Sequence, residues 1–334
     1  MTHNVDATQV LIVEKSYDRV ATGLRDRVPG VDVVCWRPER NFTRDAKAVD
    51  CAEVAPAAAW IGADVFSGGH LADYGEVLLG FESLQWVQSA NAGLDAGLYQ
   101  ALARRGVRLT KSGAQSIPIA EYVLAYALER FQDLDVRRAA QAEAAWKPHR
   151  FRELWHATWL IIGYGHIGRG VARRAKAFDS RVIAIRASGA SHEYADEVAT
   201  LASLRELLPR ANVVVLACPA TDETRGLANA SFFERLGPDT LFINVARGSL
   251  VDEAALLGGL ARERPSHAVL DVFQTEPLPA SSPLWNHPRV TVTAHTSNAG
   301  SGTRIRGDEL FLSNLERFVA GQALIDEVDR ASLI

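Results

Sequence analysis

Residues Gly163-Tyr-Gly165-His-Ile-Gly168 follow the apolar run Thr158-Trp-Leu-Ile-Ile162 and open a helical pattern from Ile167 to Phe178. No other stretch limits the fold as much. Gly163 permits a tight turn. Gly165 lets backbone N–H groups approach an anion because no Cβ intervenes, and Gly168 lets the helix pack closely on the strand. A strand, a glycine turn and a helix start together suit a dinucleotide pyrophosphate, with the helix N-terminus supplying partial positive charge. The plainer alternative is an ordinary strand–turn–helix.

The surrounding pattern extends this motif into a fold. Runs at Gln9–Val13, Val31–Trp36, Ala57–Ile61, Leu84–Gln88 and Val107–Thr110 read as buried strands, with helical segments such as Tyr17–Arg27 and Tyr74–Gly80 between them. Such alternation implies a parallel sheet covered on both faces. A second series comprises Thr158–Ile162, Arg181–Ile185, Val213–Ala217, Leu241–Val245, Ala268–Asp271 and Val290–Ala294. These six strands predict a doubly wound sheet whose ligands collect at the strands' carboxyl ends. The unusual polar residues of this half lie there: Arg186, Cys218-Pro219, Ala246-Arg247, Asp271 and His295. Between the two series, Ile119 to about Ala145 reads as one long amphipathic helix with Pro118 at its first turn, either a domain bridge or a subunit interface. The tail Asp308–Gly321, built on Leu310, Phe311, Leu315, Phe318 and Val319, is expected to pack back on the first domain. The boundaries expected are 1–110 with 299–334 for a substrate domain and 111–298 for a cofactor domain inserted into it.

At 334 residues the chain suits two domains, and 48% hydrophobic with 23% charged residues is a globular composition. A net charge of −4 and only short basic clusters give no footing for nucleic acid. Cys35, Cys51 and Cys218 form no CxxC pair and read as free thiols of a reducing cytoplasm. No apolar run reaches the roughly 18 residues of a membrane span, and the polar Met1–Gln9 is not expected to be a signal peptide. No grouping of His, Cys, Asp or Glu has metal-ligand spacing, so no metal is expected.

The second strand of the glycine-turn unit bears on the cofactor. An NAD site expects an acidic residue about 20 residues past the glycines, to bond the ribose hydroxyls. Here the strand ends Ile185-Arg186-Ala187-Ser188, with no carboxylate until Glu193. A guanidinium at Arg186 can hold a 2′-phosphate bidentately, and Ser188 can add a donor. NADP(H) is therefore the expected cofactor. NAD(H) stays open if Arg186 points to solvent.

Three polar residues stand at ends of late strands, in Asn244-Val-Ala-Arg247-Gly-Ser-Leu-Val-Asp-Glu253, Asp271-Val-Phe-Gln-Thr-Glu276-Pro-Leu278 and Thr293-Ala-His295-Thr-Ser-Asn298. Histidine is the side chain that exchanges protons most readily at physiological pH, so His295 suits the proton donor to a carbonyl being reduced by hydride, and the base in reverse. Glu276 would support the imidazolium. Arg247 offers a planar fork for a substrate carboxylate and can polarise the reacting carbonyl. Each has a plainer reading: a solvated strand-end arginine, a loop charge, a hydrogen-bonded structural histidine. With these motifs, the segment Ser89-Ala-Asn-Ala-Gly-Leu-Asp95 and the helix start Ala120-Glu121, the chain resembles the D-isomer-specific 2-hydroxyacid dehydrogenases over nearly its whole length.

The resemblance implies two doubly wound α/β domains, a Rossmann cofactor domain inserted into a flavodoxin-like substrate domain. It assigns catalysis to Arg247, Glu276 and His295. It places Tyr164, His166 and Ile167 in the pyrophosphate turn, Cys218, Pro219 and Ala246 along the cofactor, and Ser297 near the nicotinamide. Asp271 would accept a hydrogen bond from the carboxamide, a buried strand-end cap being the alternative. Asn91, Ala92 and Gly93 would meet the substrate carboxylate, with Trp60 in another wall of the pocket. A homodimer built around the helix from Ile119 is also implied. The expected reaction is reduction of a small 2-oxo acid such as glyoxylate or hydroxypyruvate. The alternatives are phosphite oxidation on the same triad, or a corepressor-type protein that senses NAD(H) without turnover. Ala157 stands where the family commonly has glycine before the cofactor-domain strand, which puts the shape of that turn in doubt.

Overall fold

The computed structural model describes residues 8–38, 41–187 and 192–334. The chain divides into two compact units, Met1–Gln115 with Ser301–Ile334, and Ser116–Gly300. The first cut lies beyond the expected 110/111. The segment after residue 110 is tied to the first unit, where Ser112 N donates to Asn91 O at 2.8 Å and the Gln115 side chain donates to Ala90 O.

In the first unit the described strands are β1 (Gln9–Val13), β2 (Asp32–Arg37), β3 (Asn41–Arg44), β4 (Lys47–Val49), β5 (Ala58–Ile61), β6 (Trp86–Ser89) and β7 (Arg108–Thr110). They lie in the order β4-β3-β2-β1-β5-β6-β7. The run β2-β1-β5-β6-β7 is parallel, and β3 and β4 add antiparallel at one edge. The edge strands were not expected, because Asn41–Val49 carries no continuous apolar run; Phe42 is buried while Lys47 and Ala48 are exposed. The helix Thr303–Val319 returns to this unit as expected. Its Phe311 stacks on Trp60 with ring centroids 4.3 Å apart and also lies over Trp86. Leu312 and Leu315 fill the same core with Val20 and Leu24 of the helix Glu14–Arg27. Burying these side chains supplies the apolar area that holds the late helix to an early sheet.

The second unit holds β8 (Thr158–Ile162), β9 (Arg181–Ile185), β10 (Glu197–Ala199), β11 (Val213–Leu216), β12 (Leu241–Asn244), β13 (His267–Leu270) and β14 (Val290–Val292). All are parallel, in the order β10-β9-β8-β11-β12-β13-β14. Central strands such as β11 and β12 are buried along their whole length, as a sheet covered on both faces requires. The strand order reverses between β8 and β11, which fixes the switch point at the carboxyl ends of those two. The short, half-buried β10 was missing from the six expected strands because Glu197-Val-Ala199 carries little apolar signal.

The long helix expected from Ile119 is two helices, Ser116–Phe131 and Leu134–Ala142. Asp133 between them has φ +48°, a left-handed conformation that breaks the helical path. Ser116–Phe131 packs its Ala120, Val123 and Ala127 against Val171, Ala172 and Ala175 of the helix His166–Lys176. The second piece, Leu134–Ala142, has no buried residue.

Candidate active site

The glycine turn has the steric logic its sequence implies. Gly163 has φ +98°, and a Cβ there would lie 2.4 Å from Cys218 N, so the ends of β8 and β11 touch at the switch point. A Cβ on Gly168 would lie 2.1 Å from Gly163 O. One on Gly165 would meet no protein atom within 4 Å. The backbone beside Gly165 is thus open where a dinucleotide's anion would sit, and the helix His166–Lys176 begins there with no side-chain cap on its first N–H groups. His166 is half-buried, with Nδ1 3.3 Å from Arg169 Nη2. The Tyr164 ring turns inward instead, its hydroxyl donating to Glu193 O at 3.0 Å, so only its backbone belongs to the turn.

Arg186 directly follows β9, its N–H bonded to Ala199 O at 3.0 Å and its side chain half-buried. Ser188 lies outside the described residues. Cys218 is buried, and burial pushes its thiol up to about 11. A thiol held so far from ionisation is no nucleophile. Exposed Pro219 follows it, and its carbonyl accepts from Thr224 Oγ1 at 2.7 Å.

Arg247, Glu276 and His295 all lie within this unit, and the last two are paired. His295 Nδ1 lies 2.8 Å from Glu276 Oε2. The other carboxylate oxygen, Oε1, accepts from Phe273 N at 3.0 Å, which fixes the side chain to its own loop. His295 has φ +53°, rare for a residue with a Cβ and a form of strain that collects at functional sites. Both side chains remain partly exposed. Arg247 leaves β12 on a turn held by Asn244, which is fully buried. Asn244 Nδ2 donates to Arg247 O at 3.0 Å, and Asn244 Oδ1 accepts from Ala246 N at 3.0 Å. Arg247 Nη1 also donates to Ala246 O at 2.7 Å.

Gly248 joins the Arg247 turn to the Glu276 loop. A Cβ on Gly248 would lie 1.8 Å from the Phe273 carbonyl carbon, so the two backbones run in direct contact. Gln274 reinforces that contact, its N–H bonded to Glu253 Oε1 at 2.8 Å and its amide to Val251 O at 2.7 Å.

Asp271 is 1% exposed and serves the loop that follows. Its Oδ1 accepts from Thr293 Oγ1 at 2.6 Å, Thr296 N at 2.8 Å and Ser297 N at 3.2 Å, while Oδ2 accepts from Ser297 N at 3.1 Å. The capping alternative for Asp271 is thus present, and Oδ2 keeps acceptor capacity for one further donor. Ser297 is buried beneath the loop.

In the first unit, Asn91, Ala92 and Gly93 follow β6 on a half-buried turn. Asn91 N donates to Ser89 Oγ at 3.1 Å, whereas the amides of Ala92 and Gly93 have no acceptor among the described residues. Trp60 requires a correction. Its side chain is 2% exposed and stacked on Phe311, so it is a core residue and not a pocket wall. Sequence reasoning also passed over Asn244, Gly248, Thr293 and Tyr122. The first three had a local signal, as chain neighbours of Arg247 or His295, and Tyr122 had none.

Comparison with known proteins gives the same class. The family described as "D-isomer specific 2-hydroxyacid dehydrogenase, NAD binding domain" matches residues 124–297. Glyoxylate/hydroxypyruvate reductase A of Serratia proteamaculans is 32% identical over 285 residues, 82% of this chain and 83% of that protein. The solved D-isomer specific 2-hydroxyacid dehydrogenase of Xanthobacter autotrophicus, in complex with NADPH and MES, aligns with TM-score 0.77 and 27% identity over 98% of this chain and 99% of that one. The NADPH-dependent glyoxylate/hydroxypyruvate reductase of Sinorhizobium meliloti, in complex with NADP and sulfate, aligns with TM-score 0.75 and 25% identity over 98% and 100%. The chain belongs to the D-isomer specific 2-hydroxyacid dehydrogenase family and carries that family's NAD(P)-binding domain. Among the described residues no helix is long and apolar enough to cross a membrane.

Proposed function

We propose that this protein is an NADPH-dependent reductase of small 2-oxo acids, of the glyoxylate or hydroxypyruvate size, with His295 as general acid. The observation that carries the reading is the 2.8 Å pairing of His295 Nδ1 with Glu276 Oε2, in the same unit as the glycine turn. When bound, the reduced nicotinamide supplies hydride to the carbonyl carbon. Glu276 accepts a hydrogen bond from Nδ1–H and so leaves Nε2–H of the imidazolium to protonate the developing alkoxide. In the reverse direction neutral Nε2 takes the hydroxyl proton. Arg247 binds the 2-oxo acid's carboxylate through its planar fork and polarises the carbonyl.

Arg186 supports the choice of NADPH, because it stands where an NAD site would place a carboxylate, and two solved relatives were captured with NADP(H). A homodimer is the assembly that fits the second unit. Trp146 is 98% exposed, Trp155 60% and Phe151 45%, beside a helix without a buried residue. Exposed aromatics in such density mark a contact surface. Charge introduced by Trp146→Glu should shift the mass measured by light scattering from dimer to monomer.

The test of the activity is a turnover assay with the purified chain, NADPH or NADH, and a series of 2-oxo acids of rising size. Oxidation of NADPH that is lost in His295→Ala, and a preference moved toward NADH in Arg186→Asp, are the results expected. Cofactor binding without turnover on any acid would overturn the reading in favour of a cofactor-sensing protein.

A further inference from the structure

A chain of hydroxyls leads from the helix Ser116–Phe131 to the Asp271 carboxylate. Tyr122, on the helix Ser116–Phe131, has its hydroxyl 2.8 Å from Thr293 Oγ1, and Thr293 Oγ1 lies 2.6 Å from Asp271 Oδ1. Hydrogen-bond inventory sets the direction. An ionised carboxylate only accepts, so the single Thr293 hydroxyl proton is spent on Asp271. Tyr122 must therefore donate to Thr293, and the relay runs Tyr122 O–H to Thr293 O–H to the Asp271 carboxylate. Burial and the nearby Asp271 charge hold the Tyr122 phenol well above its ordinary value, so it remains a donor throughout the neutral range. Bonds aligned in one direction polarise one another.

The relay ends on the segment that carries the histidine. Asp271 Oδ1 and Oδ2 hold Thr296 N and Ser297 N, and the Asp271 carbonyl holds His295 N at 2.8 Å. Residues 295–297 thus take their backbone from one buried aspartate. The φ of +53° at His295, unfavourable for a side chain with a Cβ, persists only while those bonds over-determine it.

We propose that Tyr122 is a positioning residue for His295, acting through Thr293 and Asp271 to hold the imidazole at the angle that serves proton transfer. The inference rests on the reading of His295 as the general acid. Without the Tyr122 hydroxyl, Asp271 receives a less polarised donor from Thr293, and the 295–297 turn samples more than one conformation. The ring then spends less time in its productive orientation. Cofactor binding at the glycine turn is unaffected.

The experiment compares Tyr122→Phe, Thr293→Val, Thr293→Ser, the double variant Tyr122→Phe/Thr293→Val and His295→Ala in the full chain. It measures kcat, KM for NADPH and for the 2-oxo acid, the pH profile of kcat, and thermal midpoint. Tyr122→Phe should lower kcat roughly five- to tenfold and displace the pH profile, with KM for NADPH within about twofold. Thr293→Val should lower kcat at least as far, Thr293→Ser should restore it, and the double variant should fall no further than Thr293→Val alone. A Tyr122→Phe enzyme with unchanged kcat and profile, while His295→Ala is inactive, overturns the inference and leaves the acid assignment standing. Full turnover by His295→Ala overturns both. If Tyr122→Phe fails to fold, the threonine pair decides: equal kcat and equal pH profiles for Thr293→Val and Thr293→Ser refute the relay.

Discussion

Replacing Gly248 by alanine tests whether the Arg247 turn and the Glu276 loop form one rigid body. The new Cβ would sit 1.8 Å from the Phe273 carbonyl carbon, 1.9 Å from its oxygen and 2.5 Å from Gln274 N. All three are backbone atoms, so no rotamer change relieves the overlap. Ordinary contact begins near 3.4 Å, and one of the two segments must retreat by about 1.6 Å. Both segments are tied down, Arg247 by buried Asn244 and the Phe273 loop by the bonds of Gln274 to Glu253 and Val251, and a retreat of the loop breaks the latter. That loop carries Glu276, whose bond to His295 is 2.8 Å long and would be lost by such a shift. A misplacement near 1 Å at a reacting centre costs on the order of 100-fold in rate. Forcing an extra carbon into a packed site costs about 1–3 kcal/mol, or a fall of several degrees in thermal midpoint for a unit of this size. On the proposed reductase reading, Gly248→Ala should therefore lose roughly 100-fold in kcat/KM for a 2-oxo acid with NADPH, and also melt earlier. A variant within twofold of the parent in kcat/KM, with an unchanged midpoint, would refute the claim that this backbone contact sets the site.

Three further outcomes follow from the same geometry. Gly165→Ala should keep the parent thermal midpoint, because the added Cβ meets no protein atom within 4 Å, yet weaken NADPH by tenfold or more, read by fluorescence titration. His267 is buried in β13 and burial pulls its imidazole down to about 4. The unfolded chain takes up this proton from about pH 6.5 but the folded protein only near 4, so stability should fall as pH drops through that window and then level off, by on the order of 3 kcal/mol. Chemical denaturation at several pH values should show a shallower slope in His267→Gln, and an identical slope would sink the assignment. Asn314 is fully buried in the first unit, donating to Gln88 Oε1 at 2.8 Å and to Ile325 O at 3.0 Å and accepting from Ile325 N at 2.7 Å. Asn314→Leu strands those partners and should cost at least about 2–4 kcal/mol in urea unfolding.

What the sequence determined by itself was everything that repeats locally or is dictated by a backbone exception. Apolar runs such as Val213–Ala217 announce buried strands because both of their faces are covered, and Gly163-x-Gly165-x-x-Gly168 announces its turn because no Cβ fits at Gly163 or Gly168. The apolar stripe of the tail helix likewise implied a return to the first unit. Tertiary structure alone decided which side chains share a bond. Thr293 and Tyr122 stand 171 positions apart, and neither is unusual where it stands in the chain. Trp60 looked like a pocket wall by resemblance, yet Phe311, some 250 residues later, covers its ring. Asp133 and the strand at Glu197–Ala199 escaped notice for a related reason. A single left-handed residue and a three-residue edge carry too little periodicity to read. Periodicity and glycine sterics are properties of a short window. Hydrogen-bond partnership in the core depends on how the sheet order brings strand ends together, and that order appears only once the chain is folded.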